Sequence, residues 1–179
     1  MSELQEIIVN KVASSGINTL NLEDYYPKGE RIVFDMKNCL IEGLVLREKE
    51  FRNFLKQNDW TKYKDKFVAI DCSADAIIPT WAYMLVAIEL EPFAKKIILG
   101  TLNMLETLLF REALSKINLE EFKNQRVVIK GCSAKTVPVS AYIEIVRLLR
   151  PVAQSIMYGE PCSTVPLYKK NKNTIIASE

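Results

Sequence analysis

The sequence predicts an α/β fold with a mainly parallel sheet of about four strands, helices on both faces and an N-terminal antiparallel hairpin. From residue 67 onward, short apolar runs alternate with longer segments of helical spacing, a pattern typical of parallel sheets. Pro79 and Pro138 begin two of the helical segments, where the first turn tolerates a missing N–H group. The 179 residues are 49% apolar and 26% charged, which is ordinary for one globular domain with its own core.

The predicted elements follow from these patterns in chain order. Amphipathic spacing predicts a short helix at residues 2–14, and the turn at 23–30 separates two hairpin strands at 18–22 and 31–36. A helix is predicted at 47–57. The alternation predicts strands at 67–70, 96–99, 126–129 and 152–158, and helices at 79–90, 102–114 and 138–149. We expect a single domain over residues 1–168 and a flexible tail at 169–179, where periodicity stops.

Composition excludes several classes of function. The chain contains no histidine, which excludes Ser-His-Asp and Cys-His catalysis and any HExxH zinc site. Its six glycines form neither a GxGxxG motif nor a phosphate-binding P-loop. A net charge of +2 does not favour nucleic acid or anionic lipid. Because no signal-peptide pattern and no long apolar run occur, we expect a cytoplasmic protein without nucleic-acid or membrane partners.

Three of the four cysteines share one local context. Cys72 lies in DCSADAIIPTWAY, Cys132 in GCSAKTVPVSAY and Cys162 in EPCSTVPLY. The first two follow apolar strands, so their thiols are expected at the carboxyl edge of the sheet, where open α/β sheets bind ligands. Three sulfur ligands that converge there would bind zinc, iron or an iron–sulfur cluster. The same contexts form a weak internal sequence repeat, in which residues 67–86 resemble residues 127–146.

Other residues near these cysteines are candidates for the same site. Asp71 and Glu160 are candidate fourth ligands, or groups that contact the ligands. Hydroxyl donors to a thiolate follow each cysteine, at Ser73, Ser133 and Ser163. Cys39 lacks the Ser and Pro context and is predicted to be a packing residue. The acidic group at Glu23, Asp24 and Asp35 is interpreted as a solvated turn.

Two alternatives to a metal site remain open. One is a thiol enzyme or sulfur carrier, in which one cysteine is the nucleophile and another resolves the intermediate. The other is a non-catalytic interaction domain, because cysteine is among the residues most often buried. The sequence therefore leaves open whether the protein is an enzyme. A homodimer is expected only because symmetric dimers are common.

The longest motifs carry a resemblance to a known family. The segments EIIVNKVASSG, NLEDYYPKGER, EGLVLREKEFR, CSADAIIPTWAYM, KGCSAKTVPVSAY and SIMYGEPCSTVPLYK resemble Domain of Unknown Function 2480, an uncharacterised family found in Bacteroidota. The resemblance extends to about residue 170. It implies matching family cysteines at Cys72, Cys132 and Cys162, and usually another residue in place of Cys39. Since members are often encoded beside SUF-type iron–sulfur assembly genes, it implies cluster or sulfur handling with iron–sulfur assembly proteins as partners.

Overall fold

The computed structural model describes residues 16–131, 135–160 and 163–171. The predicted helix at 2–14 and most of the predicted tail lie outside them. The described strands are β1 (Ile17–Asn21), β2 (Arg31–Asp35), β3 (Phe67–Asp71), β4 (Lys96–Leu99), β5 (Arg126–Lys130), β6 (Ser155–Glu160) and β7 (Ser163–Lys169). The described α-helices are α1 (Glu48–Gln57), α2 (Thr80–Leu90), α3 (Leu102–Leu114) and α4 (Val139–Leu149). The four helices therefore match the predicted helices at 47–57, 79–90, 102–114 and 138–149 to within one residue.

The chain divides into two compact units. Unit 1 comprises Met1–Tyr26 and Phe110–Glu179, and unit 2 comprises Pro27–Leu109. Unit 2 is thus one continuous stretch of sequence between the two parts of unit 1. A single domain over residues 1–168 stays a prediction.

Unit 1 contains a four-stranded, mostly parallel sheet in the order β1-β5-β6-β7. The first three strands are parallel, and β7 is antiparallel to β6. The core of unit 1 combines strand residues with α3 and α4, and includes Leu20, Val127, Ile129, Ile156, Phe110, Leu114, Ile145 and Leu149. Each such side chain, when fully buried, stabilises the fold by about 1.5–3 kcal/mol.

Unit 2 contains a three-stranded parallel sheet in the order β2-β3-β4. Its central strand β3 is apolar at four successive residues because alternate side chains enter different clusters. Val68 and Ile70 pack in the cluster that includes residues of α1 and α2. Phe67 and Ala69 pack with the first part of α3, through Leu105 and Leu109.

These sheets support the predicted α/β class and correct the strand pairing. The predicted N-terminal antiparallel hairpin is not confirmed, because β1 pairs with β5 and β2 pairs with β3, both in parallel. The strands expected in one sheet belong to two. Tertiary burial decides the partners, since Leu20 of β1 and Phe34 of β2 enter different cores. Helices on both faces of a sheet remain a prediction.

The two units repeat one strand–helix–strand segment. A shift of 59 residues relates β3-α2-β4 to β5-α4-β6, as from Leu90 to Leu149. Asp65 and Asn124, also 59 residues apart, both have a left-handed backbone, with φ of 60° and 58°. Their N–H groups donate to the carbonyls of Phe93 and Val152 at 2.9 and 2.8 Å. The structural repeat is therefore longer than the weak sequence repeat of residues 67–86 and 127–146.

Candidate functional site

Cys72 lies at the carboxyl edge of the unit 2 sheet, directly after its central strand β3. It is half-buried and packs against the main core of the unit. Its backbone N–H donates to Asp71 Oδ1 at 2.9 Å, and its thiol donates to the Ala74 carbonyl at 3.4 Å. The thiol is therefore held in a short, internally bonded loop at the position where sheets of this type bind ligands.

The carboxylate of Asp35 binds the residue after Cys72. Ser73 donates its N–H to Asp35 Oδ1 at 3.0 Å and its hydroxyl to Asp35 Oδ2 at 2.6 Å. Asp35 ends β2 and is the register partner of Asp71 at the end of β3. Burial opposes ionisation of Asp35, but the bonds from Ser73, with help from Lys37, hold its pKa below the usual value.

Asp35 thus contacts the Cys72 loop, a role that its interpretation as a solvated turn residue does not include. The sequence contains a weak signal for this role: Asp35 and Asp71 each end a short apolar run. That signal becomes useful only when β2 and β3 are known to be parallel neighbours.

Cys39 is buried near the same edge of the unit 2 sheet. It ends the 3-10 turn Met36–Cys39 that follows β2, and it is 8% exposed in the same core cluster against which Cys72 packs. Burial, with the charges of Asp35 and Cys72 acting in the same direction, raises the pKa of its thiol to about 12. Its burial agrees with the predicted packing role.

Tyr83 packs against the same core cluster as Cys72 and lines a cavity. Burial raises the pKa of Tyr83, and the charges of Cys72 and Asp71 add to the effect. The same side chain lines a mainly apolar cavity of about 460 Å³ together with Ile70, Thr80, Met84, Ala87, Ile97, Ile98 and Leu99. A small apolar molecule in this cavity would lie beside Tyr83.

Cys132, Ser133 and Cys162 lie outside the described residues. The strands that precede the two cysteines, β5 and β6, are parallel neighbours in unit 1. Lys130 Nζ lies 3.7 Å from Glu160 Oε2, so the ends of the two strands are joined by an ion pair. The Tyr142 hydroxyl donates to the carbonyl of Gly131, directly before Cys132. The described neighbours of both cysteines are therefore held at one edge of one sheet.

Ser163 and Glu23 are two further candidate residues of unit 1 that the structure describes. The interpretation of Glu23 as a solvated residue is wrong. Ser163 is exposed, begins β7 and is the register partner of Glu160. Glu23, interpreted as part of a solvated turn, is a buried carboxylic residue, with 6% of its surface exposed. Its N–H donates to the Asn21 side chain at 3.2 Å, and its carbonyl accepts from Lys135 Nζ at 3.2 Å. Its burial depends on tertiary contacts, for which the local sequence has no signal.

Comparison with known proteins shows the family of this chain. The family model described as "Protein of unknown function (DUF2480)" matches residues 6–170. The chain belongs to the DUF2480 family. No curated protein and no solved structure matches this DUF2480 chain.

The described part of the DUF2480 chain lacks two features. Within residues 16–131, 135–160 and 163–171, no three or more Cys, Asp or Glu side chains come together in a way that could hold a metal ion. Asp35, Asp71 and Cys72 are therefore not a metal site by themselves. In the same ranges, no helix combines the length and the apolar character needed to cross a membrane.

Proposed function

We propose that the chain is a cytoplasmic accessory protein that binds zinc, iron or an iron–sulfur cluster through Cys72, Cys132 and Cys162. It would act in iron–sulfur cluster or sulfur metabolism, with iron–sulfur assembly proteins as partners and a homodimer as the expected assembly. The observation that supports this function is the pairing of β5 with β6, the strands that precede Cys132 and Cys162, as parallel neighbours in one sheet. Cys72 follows β3, the equivalent strand of the repeat, in the other sheet.

The neighbours of Cys132 and Cys162 support two ligands from unit 1. Gly131 directly precedes Cys132, and Glu160 lies two residues before Cys162. Neighbouring strands are about 4.8 Å apart, and each further residue adds at most about 3.6 Å of reach. Chain connectivity therefore allows the two sulfurs to come within the roughly 4 Å that ligands of one metal ion require.

The donor set fits a soft metal. The proposal requires Cys72 to share that metal with Cys132 and Cys162, because thiolates favour zinc and iron–sulfur clusters over hard cations. Asp71 or Glu160 would complete four ligands or contact the ligands. Asp71 already accepts from the Cys72 N–H, and Glu160 pairs with Lys130. Either carboxylate would exchange or share that partner on binding.

Metal analysis tests the proposal. The full chain is purified without oxygen, its visible spectrum is recorded, and zinc, iron and sulfide are measured per chain. Substitution of serine for Cys72, Cys132 or Cys162, one at a time, is expected to remove most of the metal. Cys39→Ser is the matched control and is expected to keep it. If all three site variants retain their metal, or if repeated preparations of the natural chain contain none, the proposal is wrong.

The position of Cys72 favours a second candidate function, a thiol enzyme or sulfur carrier. The half-buried thiol and Tyr83 pack against the same core cluster, and Tyr83 also lines the apolar cavity, so the thiol and the cavity belong to one core region of unit 2. This function requires a thiol that is reactive at mildly acidic pH. Alkylation timed at each cysteine and located by peptide mass spectrometry tests it. Slow labelling at every cysteine would count against this function.

A further inference from the structure

Cys39 and Cys72 belong to two neighbouring strand ends of unit 2. The parallel strands β2 and β3 end at the register partners Asp35 and Asp71. Cys72 follows β3 at once, and Cys39 ends the 3-10 turn that follows β2. That segment, Met36–Cys39, has four residues, and a 3-10 helix rises about 2 Å per residue, so Cys39 lies about 8 Å or less along the chain from the end of β2. Both thiols therefore lie within about one short turn of adjacent strand ends.

Asp35 ties these two segments together. Its carboxylate accepts both Ser73 bonds from the Cys72 loop and the N–H of Lys37 from the 3-10 turn, at 2.9 Å. Cys39 is a member of the main core cluster of unit 2, and Cys72 packs against that cluster. A disulfide needs Cα atoms about 4.4–6.8 Å apart, so closure of the pair requires the two segments to bring Cys39 to within that distance of Cys72.

We propose that Cys39 and Cys72 form a dithiol pair that closes to a disulfide when hydrogen peroxide oxidises Cys72. Cys72 is the half-buried thiol and meets the oxidant, whereas Cys39 is 8% exposed and attacks second. This pair assigns Cys39 a chemical role beyond packing. The inference does not depend on metal binding at Cys132 and Cys162.

The reaction has two steps. The Cys72 sulfur attacks one peroxide oxygen, the O–O bond breaks, and Cys72 becomes a sulfenic acid while one water leaves. The Cys39 sulfur then attacks the Cys72 sulfur, the S–O bond breaks, and the departing hydroxide takes the Cys39 proton as a second water. Two thiols lose two electrons and two protons, and hydrogen peroxide is reduced to two water molecules.

Oxidation of the full chain tests this pair. Reduced, chelator-treated protein is exposed to hydrogen peroxide, the remaining thiols are alkylated, and linked peptides are mapped by mass spectrometry. The peptides of Cys39 and Cys72 are expected to be linked. Cys39→Ser and Cys72→Ser are expected to lose the link. The matched control, with both Cys132→Ser and Cys162→Ser, is expected to keep it.

Trapping of sulfenic acid provides a second readout. With dimedone present, Cys39→Ser and Cys39→Ala are expected to accumulate several-fold more Cys72 adduct than the natural chain, because the second thiol is missing. Circular dichroism checks that both variants are folded. Equal adduct in all three proteins, or a disulfide that excludes Cys39, would overturn the inference. Metal content is measured on separate samples, so failure of the metal proposal leaves this result interpretable.

Discussion

At the scale of single residues, Asp35 shows how one carboxylate organises a loop. It ends β2, accepts the N–H of Lys37 and accepts two bonds from Ser73. These bonds tie the Cys72 loop to the neighbouring strand. Asn21 takes the matching place at the end of β1 and accepts the N–H of Glu23, so a side chain caps the turn after the first strand in both units.

Asp35→Ala is expected to lower the free energy of unfolding by about 1–2 kcal/mol, the scale of a lost side-chain cap. Because the folded-state pKa of Asp35 lies below its usual value, its contribution is present above that value and is lost as pH falls through the folded pKa. The difference between natural chain and variant should therefore shrink below about pH 4. Urea unfolding at several pH values measures it.

The control for this experiment is Asp75→Ala, which removes an exposed carboxylate from the same loop region. Exposed substitutions of this kind usually change stability by less than about 0.5 kcal/mol. An equal loss in the two variants would contradict the role assigned to Asp35.

The left-handed backbone at Asp65 and Asn124 gives a second residue-scale prediction. A side chain with a Cβ in this conformation costs about 1–2 kcal/mol, and aspartate and asparagine tolerate it best. For each position, we expect the Ala variant to unfold at least about 1 kcal/mol more easily than the Gly variant. Thermal or urea unfolding of the four variants tests this. Equal stability of Ala and Gly would mean that the turn relaxes to another conformation.

At the scale of elements, α2 and α4 are equivalent helices with a matching buried face. Leu90 and Leu149 occupy the same position in the repeat and are fully buried. Ile88 and Ile143 lie on the same helices and are 65% and 67% exposed. Burial at one face and exposure at the other should give the two pairs very different sensitivities to truncation.

We expect Leu90→Ala and Leu149→Ala each to lower the free energy of unfolding by about 2–5 kcal/mol, because each leaves a cavity in its core. Ile88→Ala and Ile143→Ala should each cost less than about 0.5 kcal/mol. Chemical unfolding of all four variants provides the comparison. A large loss at Ile88 would show that α2 buries this second face as well.

At the scale of the whole molecule, the chain is built from two units, of which unit 2 is continuous in sequence. Its sheet β2-β3-β4 and its core clusters lie within residues 27–109. We therefore expect a fragment of residues 27–109 to fold, with an α/β circular dichroism spectrum and cooperative urea unfolding. A spectrum without helix or strand would show that unit 2 needs the rest of the chain.

The structure also shows which predictions local patterns support. The helix at 102–114 agrees with the observed Leu102–Leu114, because helical spacing and its end signals lie within one segment. The strand positions were also predicted, but the partners of β1 and β2 were not. A short apolar run does not say which strand it pairs with, so the sequence pattern alone predicts a hairpin where two such runs flank a turn.

The features of the candidate site also divide into those that local sequence patterns predict and those that depend on distant segments. The repeated Cys-Ser context located Cys72 at a sheet edge, because the apolar run before it and the helix after it are local features. Neither the burial of Glu23 nor the bonds of Asp35 to Ser73 could be predicted, since both need contacts between distant segments. The presence of Cys39 in the core cluster against which Cys72 packs required the pairing of β2 with β3.

The sequence by itself determined the α/β class, the helices, the family and the absence of histidine chemistry. These follow from residue identity and from periodicities of two to four residues, which local backbone geometry produces. Only the tertiary structure decided that the strands form two sheets, that the units repeat, and that Cys39 and Cys72 share one core cluster. The physical reason is that strand pairing and burial depend on residues far apart in the chain, which compete for partners only when the chain is folded.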